Sequence, residues 1–340
     1  MFISFNRLNK FFASLLVVVM LMTQSLALVP AYAATGGNAY GQNETTDDLT
    51  TKEKTARLLN QIIPHSIQNS KQQGPDWLKS TDISLSFADD LKPLYSLETF
   101  QLFSKEPVDG RLGFWQGRYA HRSSSDNTLN LGVGLRWLSE DKSTIKGINA
   151  FYDYGFKHDL SRLGIGAEYF KNRGEFRFNF YLPLSNDRFT STTAQADGIL
   201  YSYIRAVSGF DFELGTSLAD APWLNLYASG FHYDNKHNAD EDGYKLRTKM
   251  QITPKLSMEM GYSNSNLTSG DFYGKILFQL NNAASPALYG SNTEAISSDI
   301  SYKLLQKVER ENDIKTETWA QLAAYTGEIH VTVTTDSGSP

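Results

Sequence analysis

Residues Arg162 to Leu182 read RLGIGAEYFKNRGEFRFNFYL, two alternating runs on either side of the short break Asn172 to Gly174. In the first run Leu163, Ile165, Ala167 and Tyr169 alternate with Gly164, Gly166 and Glu168. In the second, Phe176, Phe178, Phe180 and Leu182 alternate with Arg177, Asn179 and Tyr181. A period of two puts each set on one face of a strand. One face is therefore apolar and aromatic, the other carries charges and glycines, and the short break makes the pair a hairpin.

The same period runs from about Asp82 to Leu280. Leu129, Leu131, Val133, Leu135 and Trp137 alternate with Asn130, Gly132, Gly134 and Arg136; Tyr244, Leu246, Thr248, Met250 and Ile252 with Lys245, Arg247, Lys249 and Gln251; and Leu256, Met258, Met260 and Tyr262 with Ser257, Glu259 and Gly261. Alternation alone also fits a soluble sheet or sandwich with one wet face. Length decides between them: these segments are about ten residues, near the ~9–11 that a tilted strand needs to cross a bilayer, whereas soluble strands average ~5–6. The connections sort by length too. Asn172 to Gly174, Ala219 to Pro222 and Thr253 to Pro254 are short, while Leu184 to Ser208, Asp234 to Asp242 and Asn264 to Gly270 are longer and polar. Short periplasmic turns opposite long external loops are the outer-membrane arrangement.

The expected fold is all-β, a transmembrane antiparallel β-barrel of about 12 strands spanning 81–282. Strands are expected to start near Asp82, Leu94, Leu112, Thr128, Lys146, Arg162, Glu175, Gly209, Trp223, Gly243, Lys255 and Asp271, an even number as single-chain bacterial barrels require. Pro93 weakens the first two, so ten strands is the alternative count.

Composition agrees: aromatic residues make up 13% of the chain, with 18 Tyr and 20 Phe, enough for the girdles of a membrane barrel. With no cysteine, disulfides and thiolate metal sites are excluded. Lys and Arg are scattered, giving no nucleic-acid footprint. At the N-terminus, Arg7 and Lys10 precede an apolar run that closes on Pro30-Ala31-Tyr32-Ala33, the form a signal peptidase accepts. Residues 1–33 read as a signal peptide cleaved between Ala33 and Ala34, and 34–80 as a periplasmic leader. Within the leader, 47–69 carries a short helical pattern capped by Asp47 or Thr51 and ended by Pro64, with a surface-lying membrane helix as the other reading.

Sixty residues follow the last strand. Tyr302 to Glu317 is densely charged, and Glu328 to Thr335 alternates like a strand without a partner. A twelve-stranded barrel lies between the eight-stranded type, filled by side chains, and wide porins, so its lumen has room for an extended polypeptide.

Asn130 to Trp137 (NLGVGLRW), Gly147 to Phe156 (GINAFYDYGF), Arg162 to Phe170 (RLGIGAEYF), Gly209 to Phe212 (GFDF), Ile252 to Pro254 and Val308 to Ile314 (VERENDI) resemble the barrel and linker of inverse autotransporters, the intimin and invasin family. The resemblance covers about Trp77 to Thr318, and its motif positions are Asn130, Gly132, Gly134, Asn149, Phe151, Asp153, Arg162, Gly164, Gly166 and Glu168. It implies a twelve-stranded translocator whose chain turns back through the pore as a linker, 283–326, and exposes a C-terminal adhesin of immunoglobulin-like domains. Partners so implied are outer-membrane lipid, periplasmic chaperones, the barrel assembly machinery and a host-cell or bacterial surface receptor. Three departures stand out: the leader before the barrel is too short for the peptidoglycan-binding module some members carry, 186–208 lacks the family's acidic, arginine-containing loop motif, and only 327–340 remains as the start or remnant of a passenger.

Parity turns Arg136, Asp153, Glu168, Arg177, Lys245, Arg247, Lys249 and Glu259 into the lumen, where they would meet the linker. Asp153 and Glu168, on adjacent strands near Arg136 and Arg177, read either as a catalytic acid and base or as part of a solvated lumen charge network; the second is the better supported. His232 and His237 lie among Asp234, Asp240, Glu241 and Asp242, a loose cation site or, more simply, a solvated acidic loop. The glycines of NLGVGLRW and RLGIGAEYF recur at every second strand residue with no helix following, so they are not a nucleotide-binding fingerprint. No enzymatic activity, cofactor or metal is expected. Two functions compete: a self-translocating outer-membrane anchor that displays its C-terminal segment at the cell surface, and an open pore or outer-membrane enzyme whose tail stays in the periplasm.

Overall fold

The computed structural model describes residues 81–88, 94–103, 110–122, 127–279, 285–288 and 299–324. The signal peptide, the helix at 47–69 and the strand at 328–335 lie outside these.

Twelve strands close into one antiparallel barrel. They are β1 (Thr81–Ala88), β2 (Leu94–Leu102), β3 (Arg111–Arg122), β4 (Thr128–Leu138), β5 (Thr144–Gly155), β6 (Leu160–Lys171) and β7 (Gly174–Pro183), then β10 (Ser208–Ser217), β11 (Leu224–Asp234), β12 (Glu241–Thr253), β13 (Leu256–Ser265) and β14 (Asp271–Gln279). The starts expected from sequence fall within two residues of these, and β2 begins directly after Pro93. Closure is made by β1 against β14, in register from Asp82↔Gln279 to Ala88↔Tyr273. No edge strand is left, so the sheet meets hydrocarbon with its backbone donors paired.

The outward set is bare: Leu131, Val133 and Leu135 are 48, 52 and 44% exposed, while Asn130 and Arg136 between them are 1 and 0% exposed. Met258 has outward parity yet is only 6% exposed, so Phe178, 38% exposed, is the cleaner lipid-facing position. The tight turns are built by residues that tolerate left-handed backbone: Asp159 (φ 51°) between β5 and β6, and Asn172 (φ 52°) between β6 and β7. Between β4 and β5 Lys142 takes that conformation (φ 57°). There Asp141 accepts from the hydroxyls of Ser139 and Ser143, which hold its carboxyl down to about 2.

Leu184 to Ser208 is expected from sequence as a long polar connection. The structure instead folds it into the hairpin β8 (Arg188–Gln195) and β9 (Gly198–Ala206). A strand from the C-terminal region, β15 (Thr316–Ala324), pairs with the free side of β9 to make a second, three-stranded sheet. The sequence carries a hairpin signal at Asp197-Gly198; the turn itself falls at Ala196-Asp197, with Gln195 paired to Gly198.

Phe178→Arg puts a charge on the lipid face and should cost ~2–4 kcal/mol at the bilayer midplane, lowering the yield of barrel that migrates differently in SDS gels before and after boiling. Ser229→Arg on the lumen face of β11, where Ser229 borders a cavity, should assemble normally. The reverse order would mean that the register is wrong by one residue.

Candidate functional site

The lumen is occupied by residues 299–315, which cross it from the end carrying the short turns to the end carrying the β8–β9 hairpin. The crossing starts where Ile300 N–H donates to Lys142 O (2.9 Å), in the turn between β4 and β5. Ile300 and Leu304 complete an apolar ring with Leu112, Ile145 and Phe170, and a 3-10 turn at Ser301–Leu305 fills the opening. Val308 packs one layer further in with Phe100, Phe114 and Phe151. It ends where Val207 N–H donates to Lys315 O (3.0 Å), beside β9.

Between these points the chain is held by charge. Arg136, fully buried, binds Glu168 through two nitrogens (2.9 and 3.0 Å) and turns a third to the carbonyls of Leu304 and Gln306 (2.7 and 2.5 Å). Its guanidinium lies over the ring of Phe114. Lys303 pairs with Glu175 at 2.8 Å, both side chains 2% exposed. Lys307 reaches Asp82 at 2.5 Å. Val308 N–H donates to Gln116. Glu309 meets Lys249 at 2.9 Å and Arg247 at 3.7 Å. Arg310 makes a two-nitrogen contact with Asp153 (2.8 and 2.6 Å) and lies over Phe151. Glu311 faces Lys245 at 3.5 Å, and its carbonyl accepts from Arg162 at 2.8 Å. Asn130 donates to Asn312 O at 2.8 Å. Over 303–311 the walls are sorted by sign: Lys303, Lys307 and Arg310 meet carboxylates on β7, β1 and β5, and Glu309 and Glu311 meet the basic row Lys245, Arg247 and Lys249 on β12; at the exit Lys315 faces Glu241.

Three of the residues read inward from sequence do not contact the threaded segment in these pairs but brace those that do. Glu168 orients Arg136; Arg177 bridges Glu175 and Glu213 (2.6 and 2.9 Å); Glu259 binds Arg247 (3.0 Å). The motif glycines make room. A Cβ on Gly132 would strike the ring of Phe151, one on Gly134 the ring of Phe114, and one on Gly164 would lie 2.6 Å from the guanidinium of Arg310. Gly166 sits between the amides of Asn149 and Asn179.

Asp153 and Glu168 do not form a carboxylate pair. Across the β5–β6 ladder Asp153 faces Arg162 and Glu168 faces Gly147, six residues apart along β6 or ~20 Å; Asp153 is paired with Arg162 and Arg310, and Glu168 with Arg136. Both side chains are buried in the barrel wall, at different heights along it. His232 and His237 are also apart: His232 lies between Asp242 and Asp234 (2.7 and 3.0 Å), whereas His237 stacks on Trp319. Glu98, Gln116, Glu175, Tyr181 and Glu213 were not singled out from sequence, although each has inward parity on its strand.

A closed twelve-stranded barrel with its own chain threaded through a charged lumen defines an outer-membrane β-barrel of the translocator type. A family model described as inverse autotransporter, beta-domain matches residues 33–312, and the chain belongs to that family. Two Escherichia coli K12 proteins are similar to it. A putative attaching and effacing protein homolog is 26% identical over 179 residues, which cover 52% of this chain and 53% of that protein. Inverse autotransporter adhesin YeeJ is 35% identical over 75 residues, covering 22% of this chain and 3% of that protein. The chain thus spans about half the length of the first and a small part of the second. A solved membrane-protein structure, from work on in-meso crystallisation, shares the fold with TM-score 0.55 and 20% identity over 70% of this chain and 99% of that one.

Arg136→Ala strands Glu168 as a buried charge and frees the carbonyls of 304 and 306. Breaking such a pair costs ~3–5 kcal/mol, so the temperature at which the gel shift is lost should fall. Arg136→Met with Glu168→Leu should recover much of that temperature, because the uncompensated charge is gone, while leaving 299–306 more open to protease than in the parent.

Proposed function

We propose that this protein is the translocator and anchor of an inverse autotransporter, exporting its own C-terminal segment through the barrel and displaying it at the cell surface. In this reading 1–33 is a signal peptide cleaved between Ala33 and Ala34, 34–80 a periplasmic leader, 81–282 the outer-membrane barrel, 283–326 the returning linker and 327–340 the start or remnant of a passenger. The family match, which begins at residue 33, supports the first boundary.

One observation carries the proposal: 299–315 traverses the lumen end to end and is matched to its walls residue by residue. A periplasmic tail would have no use for inward-facing carboxylates and cations set against Lys303, Lys307, Glu309, Arg310 and Glu311. The short turns then face the periplasm and the β8–β9 hairpin faces outward. The family match supports assembly by the barrel assembly machinery; in this reading periplasmic chaperones deliver the chain to it. Adhesion through a receptor would belong to a passenger beyond 327.

An antibody should reach a tag placed after Pro340 on intact cells. Deleting 302–340 should leave a barrel that still shows the heat-dependent gel shift but conducts more in a planar bilayer. A tag seen only after permeabilisation, with conductance unchanged, would favour the open pore with a periplasmic tail.

A further inference from the structure

Where the chain leaves the lumen it enters a second set of contacts, made by the exit sheet and the β11–β12 connection. Glu317 is only 4% exposed although it lies beyond the barrel strands. Its carboxylate accepts from the backbone N–H of Lys236 (2.8 Å) and of His237 (3.0 Å) and from the Asn238 side-chain amide (3.2 Å), with Arg205 3.6 Å away. Burial alone would raise its pKa; the two amide donors, Asn238 and Arg205 outweigh that and hold it below the ordinary value. Two residues on, the Trp319 indole stacks on Tyr203 (4.5 Å between centroids, 17° between planes) and on His237 (4.1 Å, 19°). Its N–H donates to Asp187 at 3.1 Å. Asn238 also donates to Thr318 O (3.1 Å). Backbone pairing runs from Thr316↔Ala206 to Ala324↔Gly198.

These contacts differ in kind from the lumen ladder. Inside, the segment's charges meet opposite charges. Here a single carboxylate is received by backbone amides and a single indole by an aromatic slot, while the strand pairing between them is open to any sequence. Ladder hydrogen bonds do not choose a register, because each residue offers the same donor and acceptor. A carboxylate nest and an indole slot at a spacing of two do choose one, as in peptide recognition by strand addition, where side-chain pockets supply the specificity.

We propose that β8, β9 and the connection 235–240 form a receptor for an extended Glu-x-Trp segment of this same chain, which catches Glu317 and Trp319 as they emerge and stops the chain at one register. The proposal rests on the orientation argued under Proposed function. Strand pairing on the far side of the pore opposes back-sliding, and the two side chains fix where it stops. Hydrogen bonds to a charged group are stronger than those between neutral groups, so emptying both pockets should lower the ratio of paired to unpaired chain at least tenfold, ~1.4 kcal/mol.

The absence of native cysteine makes a cross-linking test clean in the full-length protein in cells. Ser202 and Ala320 are register partners, and opposed residues of an antiparallel pair lie within disulfide reach. Ser202→Cys with Ala320→Cys should cross-link on mild oxidation, whereas Ser202→Cys with Leu322→Cys, two residues out of register, should not. Adding Glu317→Ala and Trp319→Ala should reduce the first cross-link strongly and let the out-of-register pair form, with the gel shift of the barrel retained. Trp319→Phe, which keeps an aromatic ring for the slot, should restore most of it. An undiminished in-register cross-link in the double alanine variant would overturn the receptor. A bulky maleimide that reaches the Ala320→Cys thiol only after the outer membrane is breached would overturn the orientation, and with it the role at the exit, whatever the cross-link shows.

Discussion

In hydrocarbon an unpaired peptide group costs several kcal/mol, so a chain that crosses as strands must close its sheet. The pairing of β1 with β14 is the contact on which everything else here depends. Once the sheet closes, the period of two divides each strand into an outer face solvated by lipid and an inner face that sees only what the lumen holds. Leu131, Val133 and Leu135 satisfy the first requirement; Asn130 and Arg136 create the second. A polar lumen of this size has to be filled with water, with its own side chains, or with another piece of chain. The glycines of β4 and β6 keep the walls thin where the threaded segment and its aromatic neighbours need the space.

The parts of the molecule legible in its sequence were those governed by local periodicity. Strand existence, face and near-boundaries follow from alternation, because one residue of slip would turn a whole strand inside out. The β8–β9 hairpin was missed because its alternation is weaker. Its first strand, Arg188–Gln195, is exposed throughout, so no apolar face marked it, and only Asp197-Gly198 signalled the turn. Its third strand comes from a segment more than a hundred residues away, which no local pattern announces. Within the lumen, inward parity was readable for Arg136, Asp153, Glu168, Arg177, Lys245, Arg247, Lys249 and Glu259, but the partner of each was not. Parity carries no height: the register of the β5–β6 hairpin pairs Asp153 with Arg162 and Gly147 with Glu168, which puts Asp153 and Glu168 at levels six residues apart.

The chemistry of the threaded segment answers a requirement that an apolar plug would not meet. In the proposed route the segment is exported in extended form and must remain soluble before it enters the pore, as a charged stretch does and an apolar one does not. The fully buried apolar contribution is made by Ile300, Leu304 and Val308, which seal the short-turn end and the layer above it. Between and beyond them the segment is held by ion pairs and by wall side chains bonded to its backbone.

Buried ion pairs are poor sources of net stability, since removal of both ions from water offsets most of their attraction. Their worth in this lumen lies in discrimination between registers. In the observed register Glu309 faces Lys249 and Arg247, Arg310 faces Asp153, and Glu311 faces Lys245. A shift of one residue would bring Glu309 or Glu311 to the buried Asp153 and Arg310 to the basic row of β12, exchanging attraction for repulsion between groups that are buried or only partly open to water, where screening is weaker than at a free surface. A shift of two would replace Lys303 at Glu175 by Leu305 or Ser301, leaving a buried carboxylate without its lysine. The segment is therefore matched to the walls in one register.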